Sequence, residues 1–199
     1  MKYPSTIQNL IECFKKFPGI GEKSAERMAL SVLEIDKETI DLFSNSLKDS
    51  KTKIRRCEIC NHLSETDLCE VCKDKSRNKE FLCVVEEPKS VILFEKLNIF
   101  DGYYHVLDGL ISPIDGINPE DINLSSLMTR VKKDKVKEII LALKPSVEGE
   151  TTALYISKIL EGTGVKISKI AHGIPMGAEI DYVDSLTLEM ALENRIYMD

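Results

Sequence analysis

Cys57-Glu58-Ile59-Cys60-Asn61-His62-Leu63-Ser64-Glu65-Thr66-Asp67-Leu68-Cys69-Glu70-Val71-Cys72 holds two C-x-x-C pairs with eight residues between them. Each pair presents two thiolates to one ion from a tight turn, and two such turns close a tetrahedral shell that suits Zn²⁺ and leaves no open position. A filled shell is structural, not catalytic. A stretch this short and polar cannot pack alone, so metal binding supplies its folding free energy. The alternative, two disulfides, belongs to an oxidising compartment. Met1-Lys2-Tyr3-Pro4-Ser5 shows no apolar run of signal-peptide length, and no later segment approaches the ~20 apolar residues of a membrane span, so the expected setting is the reducing cytoplasm. Four thiolates leave His62 without a ligand's task, and its expected place is in solvent. Cys13 and Cys83 sit among apolar neighbours and read as buried structural thiols.

On the N-terminal side of this module the apolar positions Ile7, Leu10, Ile11 and Phe14, then Ala25, Met28, Ala29, Val32 and Leu33, follow three-four spacing. They predict two amphipathic helices over Ile7–Phe14 and Ser24–Leu33. A third helix is expected over Lys37–Asp49 with Ile40, Phe43 and Leu47 inward. The first two are joined by Phe17-Pro18-Gly19-Ile20-Gly21. Glycine permits dihedrals that aim backbone N–H groups outward and brings no side chain to block close approach, so Gly19 and Gly21 suit a phosphate oxygen. The following helix adds its positive dipole end, and Lys23 and Arg27, four residues apart on one helical face, add charge without reading bases. The plainer alternative is an ordinary helix–helix turn with solvated charges. Lys51, Lys53, Arg55 and Arg56 form a second basic patch, which lacks the glycine turn and reads as accessory.

On the C-terminal side the pattern changes. Phe81–Val85, Tyr103–Leu107, Val136–Leu143 and Lys166–Ala171 are short β-favouring runs, separated by helical patterns at Pro88–Leu97, Leu124–Lys133 and Glu150–Leu160. Alternation of this kind predicts a parallel α/β sheet with helices on both faces. Chain reversals are expected at Gly102, Gly109, Gly116 and Gly162-Thr163-Gly164, and a last helix over Asp181–Arg195 bearing Leu186, Leu188, Met190, Ala191 and Leu192. His105 falls in a strand and is expected to be packed; His172 has no nucleophile in a recognisable elbow nearby. Residues 1–80 hold 15 Lys and Arg against 14 Asp and Glu, whereas the remainder of this 199-residue chain holds 12 against 19. Contacts to nucleic acid are therefore expected in the first part, and contacts to basic protein surfaces or metal ions in the second.

Several stretches together carry a resemblance. Phe17-Pro18-Gly19-Ile20-Gly21-Glu22-Lys23-Ser24-Ala25-Glu26-Arg27-Met28-Ala29 resembles the helix-hairpin-helix that opens the RecR family of bacterial recombination mediators. The cysteine module, Val84-Val85-Glu86-Glu87-Pro88, Val147-Glu148-Gly149-Glu150-Thr151-Thr152-Ala153 and Ala171-His172-Gly173-Ile174-Pro175-Met176-Gly177 follow in that family's order. The resemblance implies a multi-module α/β chain: a helix-hairpin-helix region at 1–53, a four-cysteine zinc finger at 54–76 on Cys57, Cys60, Cys69 and Cys72, a Toprim-like domain at 77–172 and a C-terminal helical segment at 173–199.

Active Toprim enzymes carry a D-x-D pair just before E-G-E that binds Mg²⁺; by that alignment this chain has Lys144 and Ser146 there, the lysine in place of the Asn common in the family. A lysine opposes a cation by its charge, and a lone serine is a poor ligand for a hard dication. No G-x-x-x-x-G-K-[ST] phosphate loop occurs either. The resemblance thus implies a non-enzymatic DNA-binding protein of recombinational repair, acting with RecO and, in many bacteria, RecF to load the strand-exchange recombinase on single-stranded DNA. It implies dimers or ring-like tetramers, and an acidic rim of Glu86, Glu148 and Glu150 that docks the basic surface of RecO. The plainer alternative for these three is a set of helix-initiating carboxylates. The rival function is a Mg²⁺-dependent Toprim nuclease or primase-like enzyme; a purely protein-binding zinc adaptor would leave Lys23 and Arg27 unexplained.

Overall fold

The computed structural model describes residues 3–171 and 173–195, so His172 lies outside the described residues, as does the side chain of Leu186. The chain forms two compact units, Met1–Ile54 and Arg55–Asp199.

The first unit holds α1 (Ser5–Phe14), α2 (Glu22–Ser31), a short 3-10 turn, and α3 (Lys37–Lys53). Its core is small. Ile11 and Phe14 of α1 pack on Ala25 and Ala29 of α2, with Ile7, Leu10, Ile20 and Val32 around them. Alanines one turn apart let the two helices approach closely, so the larger residues beside them turn outward. Met28 and Leu33 are accordingly exposed, against the expectation that the whole periodic set faces inward. Cys13 is exposed as well, since position 13 lies across the helix from the buried face of 7, 10, 11 and 14. The carboxylate of Asp36 caps α3 by accepting from the Thr39 N–H at 2.8 Å. The inward placement does not hold for Phe43 and Leu47, which are 49% and 46% exposed; Ile40 is half-buried, and α3 fully buries no residue. Spacing marks an apolar face but says nothing of what covers it.

The second unit opens with a two-stranded antiparallel ribbon, β1 (Arg55–Arg56) and β2 (Leu63–Ser64), and the short α4 (Glu70–Lys73). Then follow β3 (Asn78–Val85), α5 (Pro88–Leu97), β4 (Gly102–Val106), α6 (Leu124–Asp134), β5 (Glu138–Ala142), α7 (Val147–Ile159), β6 (Lys166–Lys169) and α8 (Ser185–Glu193). The four longer strands form one parallel sheet in the order β4-β3-β5-β6. Side chains alternate across it. Leu82, Val84, Ile139 and Leu141 meet α6 and α7 through Leu127, Val131, Ala153 and Ile156, whereas Cys83, Val85, Tyr104 and Val106 meet Val91 of α5 on the other face. Burial on both faces is what an all-parallel sheet requires, and it explains why these strands read as nearly continuous apolar runs.

Gly102 is not a reversal. It begins β4, where an added Cβ would collide with the Phe100 ring and the Phe81 carbonyl. The turn lies before it, with Asn98 in the left-handed region at φ 50°. Arg77, in the charged link after the cysteines, forks onto Glu95 at 2.9 and 2.7 Å and donates to the Phe100 and Gly102 carbonyls, which fixes that link against α5 and β4. No helix among the described residues is long and apolar enough to cross a membrane.

Candidate functional site

The cysteine module converges on one point. All four Sγ atoms lie within 4.8 Å of one another, and those of Cys60 and Cys69 are 3.5 Å apart. A tetrahedral ion with Zn–S bonds of ~2.3 Å separates its ligands by ~3.8 Å, so the set is sized for it. All four are free thiols, and Cys57, Cys60 and Cys69 are buried. Asn61 turns the first pair with φ 62° and returns its N–H to the Cys57 carbonyl, while Cys69 starts α4 and donates its N–H to Cys57 Sγ at 3.3 Å. Hydrogen bonding, from the Cys60 thiol first, holds the Cys57 thiol far below its ordinary range. The module is fastened to the sheet: the Val106 N–H donates to the Cys60 carbonyl at 2.8 Å, and Arg56 pairs with Asp108 at 2.6 Å. His62 is not solvated as expected; it is half-buried, its Nδ1 has no hydrogen-bond partner among the described residues, and burial lowers its pKa.

In the hairpin, Gly19 has φ 80°, which favours glycine, and an added Cβ at Gly19 or Gly21 would meet only open space. Gly21 caps α2 without a side-chain bond, and the first return bond of the helix is Ala25 N–H to the Gly21 carbonyl. The N–H groups of Glu22, Lys23 and Ser24 therefore have no partner within the chain among the described residues. Lys23 and Arg27 stand on the helix that follows, and both are exposed. Of the accessory patch, Lys53, Arg55 and Arg56 are held by Asp49, Asp67 and Asp108.

Glu86 follows the carboxyl end of β3, and Glu148 and Glu150 lie on the helix that follows β5, on either side of the switch point where the chain order reverses between β3 and β5. Open sheets of this kind place their sites there. Glu86 directly follows β3, and burial, then the neighbouring Glu87, pushes its pKa up against the opposing pull of Lys144. Glu148 and Glu150 sit in the first turn of α7, which starts three residues earlier than its sequence pattern suggests. The Ser146 hydroxyl caps that helix by accepting from Gly149 N–H at 3.3 Å, and the proximity of that hydroxyl is the first cause of the lowered pKa of Glu148. Where the aligned enzymes place a metal-binding aspartate, this chain has a helix cap. Glu150 is held by Lys169 at the end of β6, 2.9 Å from both of its oxygens. Spacing and pattern give no sign of this lysine, since only the order of strands brings β6 beside α7.

A Toprim-type sheet, a thiolate shell sized for zinc and a glycine hairpin with a bare helix start define a class: a zinc-bearing chain built to meet nucleic acid. Family models agree piece by piece. Residues 7–51 match the RecR helix-hairpin-helix, 54–74 the RecR zinc finger domain of four cysteines, 80–171 the Toprim domain, and 173–196 the RecR C-terminal segment. Together these make up the RecR architecture, and the chain belongs to the RecR family. Its cofactor is zinc, which Cys57, Cys60, Cys69 and Cys72 would hold, and its family role is in recombinational repair.

Proposed function

We propose that this protein is a non-enzymatic DNA-binding mediator that works with RecO, and with RecF in bacteria that carry it, to load the strand-exchange recombinase on single-stranded DNA. The observation that carries the reading is the hairpin: unpartnered N–H groups at the start of α2, open space at Gly19 and Gly21, and Lys23 and Arg27 beside them. Backbone donors and two cations recognise phosphate whatever the base. Glu86, Glu148 and Glu150 form the acidic rim that meets basic RecO, with Lys169 setting the pose of Glu150. One hairpin is a weak site, and a dimer or tetramer multiplies it through effective concentration. The helix cap at Ser146 and the cation of Lys144 argue against two-metal chemistry.

The test is a titration of labelled single- and double-stranded DNA by anisotropy across salt, with and without Mg²⁺. Replacing Lys23 and Arg27 by Ala should weaken binding to every sequence and lower the log–log salt slope by roughly one per lost contact, leaving zinc content unchanged. Wild-type affinity and slope in that variant would refute the hairpin site. Mg²⁺-dependent cleavage or extension abolished by Glu86→Gln would refute the non-enzymatic reading.

A further inference from the structure

A second feature of the Arg55–Asp199 unit has the chemistry of a ligand site. A cleft of about 210 Å³ opens beside the amino-terminal half of β3, remote in the fold from the strand ends that carry Glu86. Its lining includes Phe81, Tyr103, Arg130, Asp134, Lys75 and Lys79. The volume is below the ~300–1,000 Å³ of pockets that take a drug-sized ligand, so it accepts one planar group and leaves the rest outside. Arg130 is only 7% exposed and tightly held: it donates to the Tyr104 carbonyl and to Asp134, and its guanidinium lies 5.7 Å from the Tyr103 ring centroid. Its Nη2 has no hydrogen-bond partner among the described residues. Lys75 and Lys79 are exposed and belong to no ion pair among the described residues. Three cations thus face one carboxylate, already engaged by Arg130.

We propose that this cleft binds a nucleoside 5′-phosphate unit, its base entering beside Phe81, Tyr103 and the Arg130 guanidinium and its phosphate resting on Lys75 and Lys79. Phe81 is the half-exposed ring of the cleft, whereas Tyr103 is buried, with its hydroxyl donating to the Asp74 carbonyl at 2.6 Å and its ring under Arg130. A base laid against Phe81 is accepted whatever its identity, which suits a strand bound without sequence preference. An acidic peptide would satisfy the lysines but would use the planar surfaces only if it carried an aromatic side chain. The inference rests on the proposed single-strand role and adds a point of contact to it.

The experiment is photo-crosslinking of oligothymidylate carrying 5-iododeoxyuridine to the full chain, mapped by mass spectrometry, alongside anisotropy. Crosslinks should fall on peptides holding Phe81 or Tyr103. Lys75→Glu with Lys79→Glu should abolish them and weaken strand binding by roughly tenfold or more. The Lys23/Arg27 variant should lose affinity while its residual crosslinks stay in the cleft. Crosslinks confined to the hairpin, with wild-type binding by the Lys75/Lys79 variant, would overturn the cleft and leave the hairpin reading intact. A parallel titration with thymidine 5′-phosphate separates the two sources: cleft resonances that respond to it without any strand binding would keep the cleft and refute the single-strand role. Response only to an acidic aromatic peptide would overturn the proposal in favour of a protein partner.

Discussion

Replacing Gly149 by Ala is a sensitive test of how the acidic rim is built. In an ordinary helix this change stabilises by roughly 0.5–1 kcal/mol, because alanine has less chain entropy to lose. Here the sign should reverse. A Cβ at this position would overlap the Lys144 carbonyl oxygen and lie 3.1 Å from its carbon, and both belong to backbone that cannot rotate away. The oxygen must retreat by about 1 Å, which strains the 2.9 Å bond it receives from Ser146 N–H and the 3.3 Å cap from Gly149 N–H to Ser146 Oγ. Overpacking costs ~1–3 kcal/mol, and a lost cap and hydrogen bond about 1 kcal/mol each. Against the propensity gain the net is ~2–4 kcal/mol, or a Tm lower by roughly 5–15 °C for a unit of this size. Differential scanning calorimetry of the zinc-loaded protein reads it directly. An unchanged or raised Tm would refute the close approach of α7 to the Lys144 carbonyl, and with it the placement of Glu148 and Glu150.

Protein purified under reducing conditions should hold about one equivalent of zinc per chain by elemental analysis, since four thiolates fill the shell. Strong chelation or Cys57→Ser should unfold the module, because structural zinc supplies ~10–16 kcal/mol of apparent binding energy that no local core replaces; a folded, metal-free module with two disulfides would contradict this. The pH dependence should carry a signature of His105, which is fully buried, bonded through Nε2 to the Asn123 carbonyl at 2.8 Å, and left with no partner at Nδ1 among the described residues. Burial pushes its pKa down to about 4, below the unfolded value of ~6.5. The folded state then binds fewer protons, so the stability from neutral His105 is fully present above pH ~6.5 and is lost as pH falls toward 4, a change of about 3 kcal/mol. Denaturant unfolding of wild type and His105→Gln across that window should converge as pH falls; parallel curves would refute it.

Whatever depends on local chemistry could be read from the residues in order. The C-x-x-C spacing names the metal shell, because ligand type and turn length are written in consecutive residues. The alternation of apolar runs and helical patterns gives the parallel sheet, because each period follows from the geometry of one element. Gly19 and Gly21 are legible for the same reason.

Features that depend on neighbours far along the chain had to await the fold. That α3 fully buries none of its apolar face, that Cys13 lies across α1 from the core, and that His62 is half-buried are facts about what packs where, which periodicity does not encode. The pairing of Glu150 with Lys169 follows from β6 lying beside β5, and Ser146 becomes a cap only where α7 begins. The cleft draws Lys75 from the link after α4, Phe81 from β3, Tyr103 from β4 and Arg130 from α6. Only a folded sheet brings such residues to one place, because long-range contacts are set by topology and not by the propensity of any segment.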